Sequence, residues 1–465
     1  MWAQYWFSEF TASGSLFDRI MDRSHKIGTS TGLSQCADIQ KIIDRVNWGK
    51  HFGPQYPQRT CEMPEWDREE YLESIDFDAL VDFASSLRDG MPCSIVEETF
   101  GHNNLVYDIE FEDSSRWIAR IPILPRLYEC DELRISETVQ RYLLKSMVAA
   151  QIFARNIKNV FTPDIYTSFS DGKNPVGVPC MLMQKIDDYR LDEVIGHLPD
   201  NDLHTIFSDL AREMVSLASP PYFTQIGSLC QVGDDYEVGP MLAYTSLHDD
   251  PVQLDKRGPY DSVEEYFISA VNRHTTAALR DQNRDLYEQA ARLRSLLPHI
   301  INPQYNNGPF ILSPFDWHSR HIFLSQDITL CGIIDWDFAT IVPLQSFFRY
   351  PAFMTRDWLL EVKSPVMENY RRIFRNALSE LQDETEFPLL ELLDQSRWFQ
   401  MFDEGVQSSE LGKGALPLLE AYLKDLGNKK VEVKAIPVVR GMPILKDINV
   451  GGGKAKNDLS SSEVR

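Results

Sequence analysis

The chain is predicted to be α+β, with a small antiparallel-sheet lobe followed by a larger, mainly helical lobe. Three observations carry this prediction. Between residues 93 and 121 the apolar residues fall in short or alternating runs, "CSIVEETF", "NNLVYDIEFED" and "SRWIARIPI", broken by "GH" and "EDSS". That is the period and punctuation of strands joined by hairpin turns. Beyond about residue 190 the period is mainly helical. The length, 465 residues, exceeds one ordinary core, so two or three structural units are the default.

Taken in order, residues 1–75 mix aromatics, charges and turn residues and form an N-terminal extension without visible chemistry, helical from about Glu65. "FDALVDFASSLRDG" (77–90) has the apolar spacing of a short amphipathic helix stopped by Gly90. Three strands are expected at 93–99, 104–112 and 115–121, then a long helix at 136–157 in "SETVQRYLLKSMVAAQIFARNI". Two further strands follow near "DIYTSF" and "VPCMLMQKI". Helices are expected at 200–219, 262–279 and 285–300, short strands in 310–335, and helices again from about 365 to 425. The tail "GGGKAKNDLSSSEVR" has too little apolar surface to fold, so disorder is expected from about 451. Neither its "GGGK" nor "HKIGTSTG" near the N-terminus has the spacing of a phosphate-binding P-loop. The expected organisation is an extension (1–75), a sheet lobe (76–188), a helical lobe (189–430) and a C-terminal tail (431–465).

Composition narrows the function classes. Apolar residues make up 43% and charged residues 25%, which marks a globular chain. The formal net charge of −23 repels phosphate backbones and argues against nucleic-acid binding. It would attract a cationic small molecule, although most surface acid is simply solvated. The seven cysteines are scattered, with no C-x-x-C pair, so no zinc or redox motif is present. Reduced, mostly buried thiols of a cytoplasmic protein are expected. The N-terminus lacks the basic start and apolar core of a signal peptide. No apolar run approaches the roughly 18 residues that suggest a membrane span.

One stretch carries chemistry: "FDWHSRHIFLSQDITLCGIIDWDFA", from Phe315 to Ala339. Phosphoryl transfer from ATP needs groups that hold the phosphates, carboxylates that hold metal ions and a base that orients the acceptor hydroxyl. In kinase-type sites the base opens a loop D-x-x-x-x-N, and a second Asp at the end of a following hairpin binds metal. Asp316 fits the base. Asp335 follows 19 residues later, after a strand, a turn and a second strand that would fold it back beside the first acid. Either aspartate alone is ordinarily a turn former or a cap; the joint pattern D-W-H-x-x-H-I-x-L … G-I-I-D-W-D-F-A is far more specific.

On these residues the sequence resembles the aminoglycoside phosphotransferase / choline kinase-like family, in particular its divergent fungal branch. "LSPFDWHSRHIFLS" and "GIIDWDFATIVPLQSF" are similar to the family's H-G-D-L-H-x-x-N-I-L-V-D and G-I-I-D-W-E. The resemblance extends upstream through the strands at 93–121 and "TPDIYTSFSDGKNPVGVPCMLMQKIDDYRLDEV", covering about 75–430. It implies a two-lobed protein-kinase-like fold and transfer of the ATP γ-phosphate to a hydroxyl of a small molecule, with Mg or Mn as the metal. It further implies that Gly101 and Asn104 turn over the phosphates and that Arg120 stands where the family has its strand lysine. Gln184 and Ile186 would meet adenine at the hinge, Asp316 would be the base, and Asp335 and His321 would hold metal.

The sequence departs from the family at three places. Pro314 replaces the first histidine of H-G-D, and His321 replaces the asparagine. The helix glutamate that pairs with the strand lysine falls at Met147, with Glu137 more than two turns away. Magnesium prefers oxygen ligands and imidazole suits softer ions, so an Asp335–His321 pair would favour Mn over Mg. Losing the helix carboxylate should leave Arg120 less well positioned, or free for another anion. Two functions are consistent with this pattern: a small-molecule kinase, with a cationic acceptor accommodated, or a catalytically impaired pseudokinase that binds a protein partner. "LHDDP" (247–251) could supply acids for a cationic acceptor, although loop acids are usually solvated.

Overall fold

In the computed structural model the described residues are 71–100, 104–123, 136–242, 254–355, 357–358, 364–407 and 409–428. They belong to one compact unit, 65–465. The expected N-terminal extension (apart from its last few residues), Gly101, "LHDDP" and the tail lie outside the described residues.

The chain enters through helix α1 (Phe77–Ser86), whose first turn is capped by Asp76 accepting from the Ala79 N–H. It ends four residues earlier than expected, and Gly90 instead makes a turn at φ 81°. Strands β1 (Cys93–Phe100), β2 (Asn104–Phe111) and β3 (Arg116–Pro122) follow. Helix α2 (Glu137–Asn156) opens at the Ser136 cap, and β4 (Ile165–Phe169) and β5 (Cys180–Gln184) complete a five-stranded antiparallel sheet in the order β1-β2-β3-β5-β4.

Alternation sorts the two faces of this sheet. Leu105, Tyr107, Ile109 and Phe111 of β2 join Trp117, Ala119 and Ile121 of β3 in a small core under α1. The intervening residues, Asn104 and Asp108 on β2 and Arg120 on β3, therefore point the other way. In β5 the same rule sends Cys180 and Leu182 to the small core, while Met181 and Met183 reach the large one. α2 also belongs to the large core, through Leu144, Met147, Ala150 and Phe153. The hydrophobic cores thus divide along the faces of the sheet rather than at a single point in the chain.

The larger lobe begins with β6 (Tyr189–Arg190) and α3 (Leu191–Val194). It continues through α4 (Asp200–Leu217), the hairpin β7 (Gly227–Val232) and β8 (Asp235–Gly239), α5 (Val263–Arg280) and α6 (Arg284–Ile300). Then come β9 (Phe310–Ser313), β10 (Ile322–Leu324), β11 (Leu330–Ile333), β12 (Thr340–Pro343) and α7 (Leu344–Phe347). Helices α8 (Pro365–Glu380), α9 (Leu389–Gln407) and α10 (Ser409–Asn428) close it. The strands form two small sheets, β11-β10-β6 and β8-β7-β12-β9. The β7–β8 hairpin adds to the mainly helical pattern expected beyond about residue 190, in which no strand is expected before 310. Its turn residue Gly233 sits at φ 64°, and Val232 pairs with Asp235, so "VGDD" is a two-residue hairpin turn. The described residues thus form an α+β fold, a five-stranded antiparallel sheet with its helices followed by a larger, mainly helical part with two small sheets.

Among the described cysteines, Cys180 is buried, while Cys93, Cys230 and Cys331 are only half-buried, fewer than expected. No helix among the described residues is long and apolar enough to cross a membrane.

Candidate functional site

The two acids approach each other because of one hairpin. Asp316 follows β9, held to β12 by the Ser313–Thr340 pair. A single 3-10 turn, Ser319–His321, leads into β10, with the His318 ring accepting from the Arg320 N–H at 3.2 Å. β10 then pairs with β11 so that Ile322 faces Ile333, and the Ile334 N–H donates to the His321 carbonyl at 2.9 Å. The residue after Ile334 must emerge beside His321. That residue is Asp335, at φ 63°, a left-handed conformation uncommon for any residue but glycine and tolerated by aspartate.

The side chains form a closed network. His321 Nε2 lies 3.3 Å from Asp335 Oδ2, and its Nδ1 lies 3.2 Å from the Asp316 carbonyl and 3.9 Å from Asp316 Oδ2. Arg320 Nε donates to His321 Nε2 at 3.0 Å, and its Nη2 stands 3.7 Å from Asp316 Oδ2.

From the sheet above, Arg120 Nη2 donates to Asp335 Oδ1 at 3.0 Å and to Asp337 Oδ2 at 2.8 Å. Asn104 Nδ2 donates to the same Asp337 oxygen at 3.2 Å. The Arg120, Asp335 and Asp337 side chains are only 15%, 29% and 15% exposed, so these charges interact with little screening. Burial opposes the charge on Arg120, but Asp337 and Asp335 outweigh it and raise its pKa. Burial also pushes Asp335 up, yet Arg120, His321 and Arg320 together hold it below the ordinary carboxylate value. For Asp337, burial and repulsion from Asp335 prevail over Arg120 and raise it.

The expectation for Arg120 needs correction. Met147 does stand beside it, Sδ at 3.6 Å from Nη1, and Glu137 pairs with Arg141. Arg120 is nevertheless not loose, because two carboxylates from the loop after β11 hold its Nη2, while its Nη1 faces the Met147 thioether. Of the other expected residues, Gln184 ends β5, its N–H donating to the Asp164 carbonyl at 2.8 Å and its side chain accepting from the Asp164 N–H at 3.2 Å. Ile186 lies against β11, where a Cβ on Gly332 would come within 2.1 Å of Ile186 Cδ1. The structure therefore brings Asn104, Arg120, Asp316, His321 and Asp335 into one network and places Gln184 and Ile186 at the linker beside it. Asp337 and Arg320 were not singled out from the sequence. The D-W-D doublet was a usable signal for the first; nothing local marks the second.

The donor set does not fit a divalent cation. Among the described residues no group of three or more His, Cys, Asp or Glu side chains could hold a metal ion. Asp335 Oδ1 and Asp337 Oδ2 already accept from Arg120, and His321 Nε2 accepts from Arg320. An incoming ion would meet the Arg120 guanidinium at Asp335 and Asp337 and the Arg320 guanidinium beside Asp316.

No family model matches the chain, and no curated protein matches it. Several solved structures are similar in part. An ADP-bound aminoglycoside phosphotransferase is 12% identical, the match covering 74% of this chain and 99% of that one, with a TM-score of 0.44. A streptomycin–ATP complex of another such enzyme is 12% identical over 74% and 97%, with a TM-score of 0.43. The macrolide 2'-phosphotransferase of Brachybacterium faecium is 14% identical over 77% and 99%, with a TM-score of 0.37. At this level of similarity the function must be read from the geometry of the site.

Proposed function

We propose that the protein is a small-molecule kinase that transfers the γ-phosphoryl group of ATP to an acceptor hydroxyl. The observation that carries this reading is the convergence of Asp316 and Asp335 on the two sides of His321, with Arg120 above them. Asp316 takes the proton of the attacking hydroxyl as its oxygen bonds to the γ-phosphorus. The bond from that phosphorus to the β–γ bridging oxygen breaks, and ADP leaves. Positive charge at Arg120 and Arg320 offsets the charge on the transferring group. Gln184 and Ile186 supply backbone groups to adenine, and the net charge of −23 favours a cationic acceptor.

The test is ATP-dependent phosphorylation across a panel of amino-sugars, amino-alcohols and neutral polyols. Asp316→Asn should lower turnover by about 100-fold or more, the usual scale for a general base. Unchanged turnover in that variant refutes the assignment.

A second reading, nucleotide binding without transfer, is favoured by one observation: Arg120 ties up Asp335 and Asp337 together. Pro314, His321 and Met147 point the same way. Turnover of any acceptor at a rate abolished by Asp316→Asn excludes it.

A further inference from the structure

We infer that the cleft takes nucleoside triphosphate without a divalent cation, the Arg120 guanidinium standing in the place of the ion. The inference rests on the nucleotide reading above and concerns what that site requires. Phosphate sites of this kind commonly bring a metal to one or two carboxylates and let the phosphates complete its shell. Here the two carboxylates nearest the expected phosphates share one cation already: Arg120 Nη2 is 3.0 Å from Asp335 Oδ1 and 2.8 Å from Asp337 Oδ2. Asn104 Nδ2 adds a third N–H at 3.2 Å from the same Asp337 oxygen. The remaining nitrogen donor, His321 Nε2, accepts the Arg320 Nε–H at 3.0 Å. Asp335 Oδ2 faces that same imidazole at 3.3 Å.

A guanidinium keeps its charge at every physiological pH, so this arrangement does not relax by deprotonation. It serves a polyphosphate directly. Arginine binds phosphate oxygens through its planar fork and is less strongly hydrated than an ammonium. Arg120 Nη1 meets the Met147 thioether at 3.6 Å instead of a helix carboxylate. That nitrogen is therefore available to a phosphate while Nη2 stays on the aspartates. A second guanidinium, Arg320, has its Nη2 at 3.7 Å from Asp316 Oδ2 and its Nε at 3.0 Å from His321 Nε2.

Calorimetric titration of the full chain with ATP tests this in three buffers, containing EDTA, Mg²⁺ or Mn²⁺. The expected result is a dissociation constant equal within about threefold in all three, less than one factor of ten. Arg120→Gln should weaken binding in EDTA by about tenfold or more and, by releasing Asp335 and Asp337, make binding metal-dependent. Wild-type binding about tenfold or more tighter with either metal than in EDTA overturns the inference and leaves the nucleotide reading intact. No binding in any buffer overturns both. The wild-type comparison carries the test even if the variant does not fold.

Discussion

Glu213 should make stability fall as pH rises from about 4.5 to about 7, and Glu213→Gln should abolish that fall. Glu213 lies on α4, 6% exposed, and its Oε2 accepts the Phe161 N–H at 2.9 Å. Burial pushes its carboxyl from 4.5 up to about 7, with the Phe161 N–H pulling it down and Asp209 adding to the rise. In the unfolded chain the group titrates near its ordinary ~4.3. Between these two values the native state binds a proton that the unfolded state has released. The contribution is therefore fully present below the unfolded value and is lost as pH rises through the folded one. A span of about 2.5 pH units at ~1.4 kcal/mol each amounts to about 3.5 kcal/mol. Glutamine keeps the shape and the acceptor oxygen without a charge. Urea unfolding should thus find Glu213→Gln more stable than wild type by about 3.5 kcal/mol at pH 8, and within about 0.5 kcal/mol at pH 4.5. An equal difference at the two pH values, or a loss at pH 8, refutes the reasoning. The group matters to the site as well. The Phe161 carbonyl accepts the Ile333 N–H at 2.7 Å, so Glu213 helps to anchor the strand that delivers Asp335.

Three further outcomes are expected. Gly332→Ala places a Cβ 2.1 Å from Ile186 Cδ1, so the Ile186 side chain must turn away; urea unfolding should show a loss of about 1–3 kcal/mol, with weaker ATP binding by calorimetry. Arg371→Ala strands Asp357, which is 7% exposed and held through two nitrogens at 2.6 and 2.8 Å, and chemical denaturation should register about 3–5 kcal/mol of destabilisation. Met147→Glu places a carboxylate about where Met147 Sδ now lies, 3.6 Å from Arg120 Nη1. Drawing the guanidinium off Asp335 should make ATP binding about tenfold or more stronger with Mg²⁺ than in EDTA, as read by calorimetry; no metal dependence counts against the role given to Arg120.

Much of the fold was legible because its signals are local. The short apolar and alternating runs in "NNLVYDIEFED" and the 3.6-residue period over 136–157 specify β2 and α2 to within a residue or two. The β7–β8 hairpin was equally local in its "VGDD" turn but short and half-exposed, and the helical period on either side obscured it. β6 and β12 offered less. A two-residue strand and a four-residue one have no period of their own and are defined by their partners β10, β9 and β7.

The candidate site divides in the same way. The spacing from Asp316 to Asp335 is a property of the chain alone, since a hairpin of that length returns its end to its start. His321, Pro314 and Met147 are likewise plain substitutions in a recognisable pattern. The fate of Arg120 was not readable from any of them. Its position on β3 says only that it faces away from the small core; its partners lie 215 and 217 residues further along the chain. Charge compensation acts through space, and in a poorly solvated cleft a guanidinium takes whichever carboxylates the fold brings near. The sequence alone therefore determined which acids could meet, because backbone geometry between neighbours in the chain suffices for that. Only the tertiary structure determined that Arg120 and Arg320 meet them first, because that depends on how the sheet and the loop after β11 close on each other.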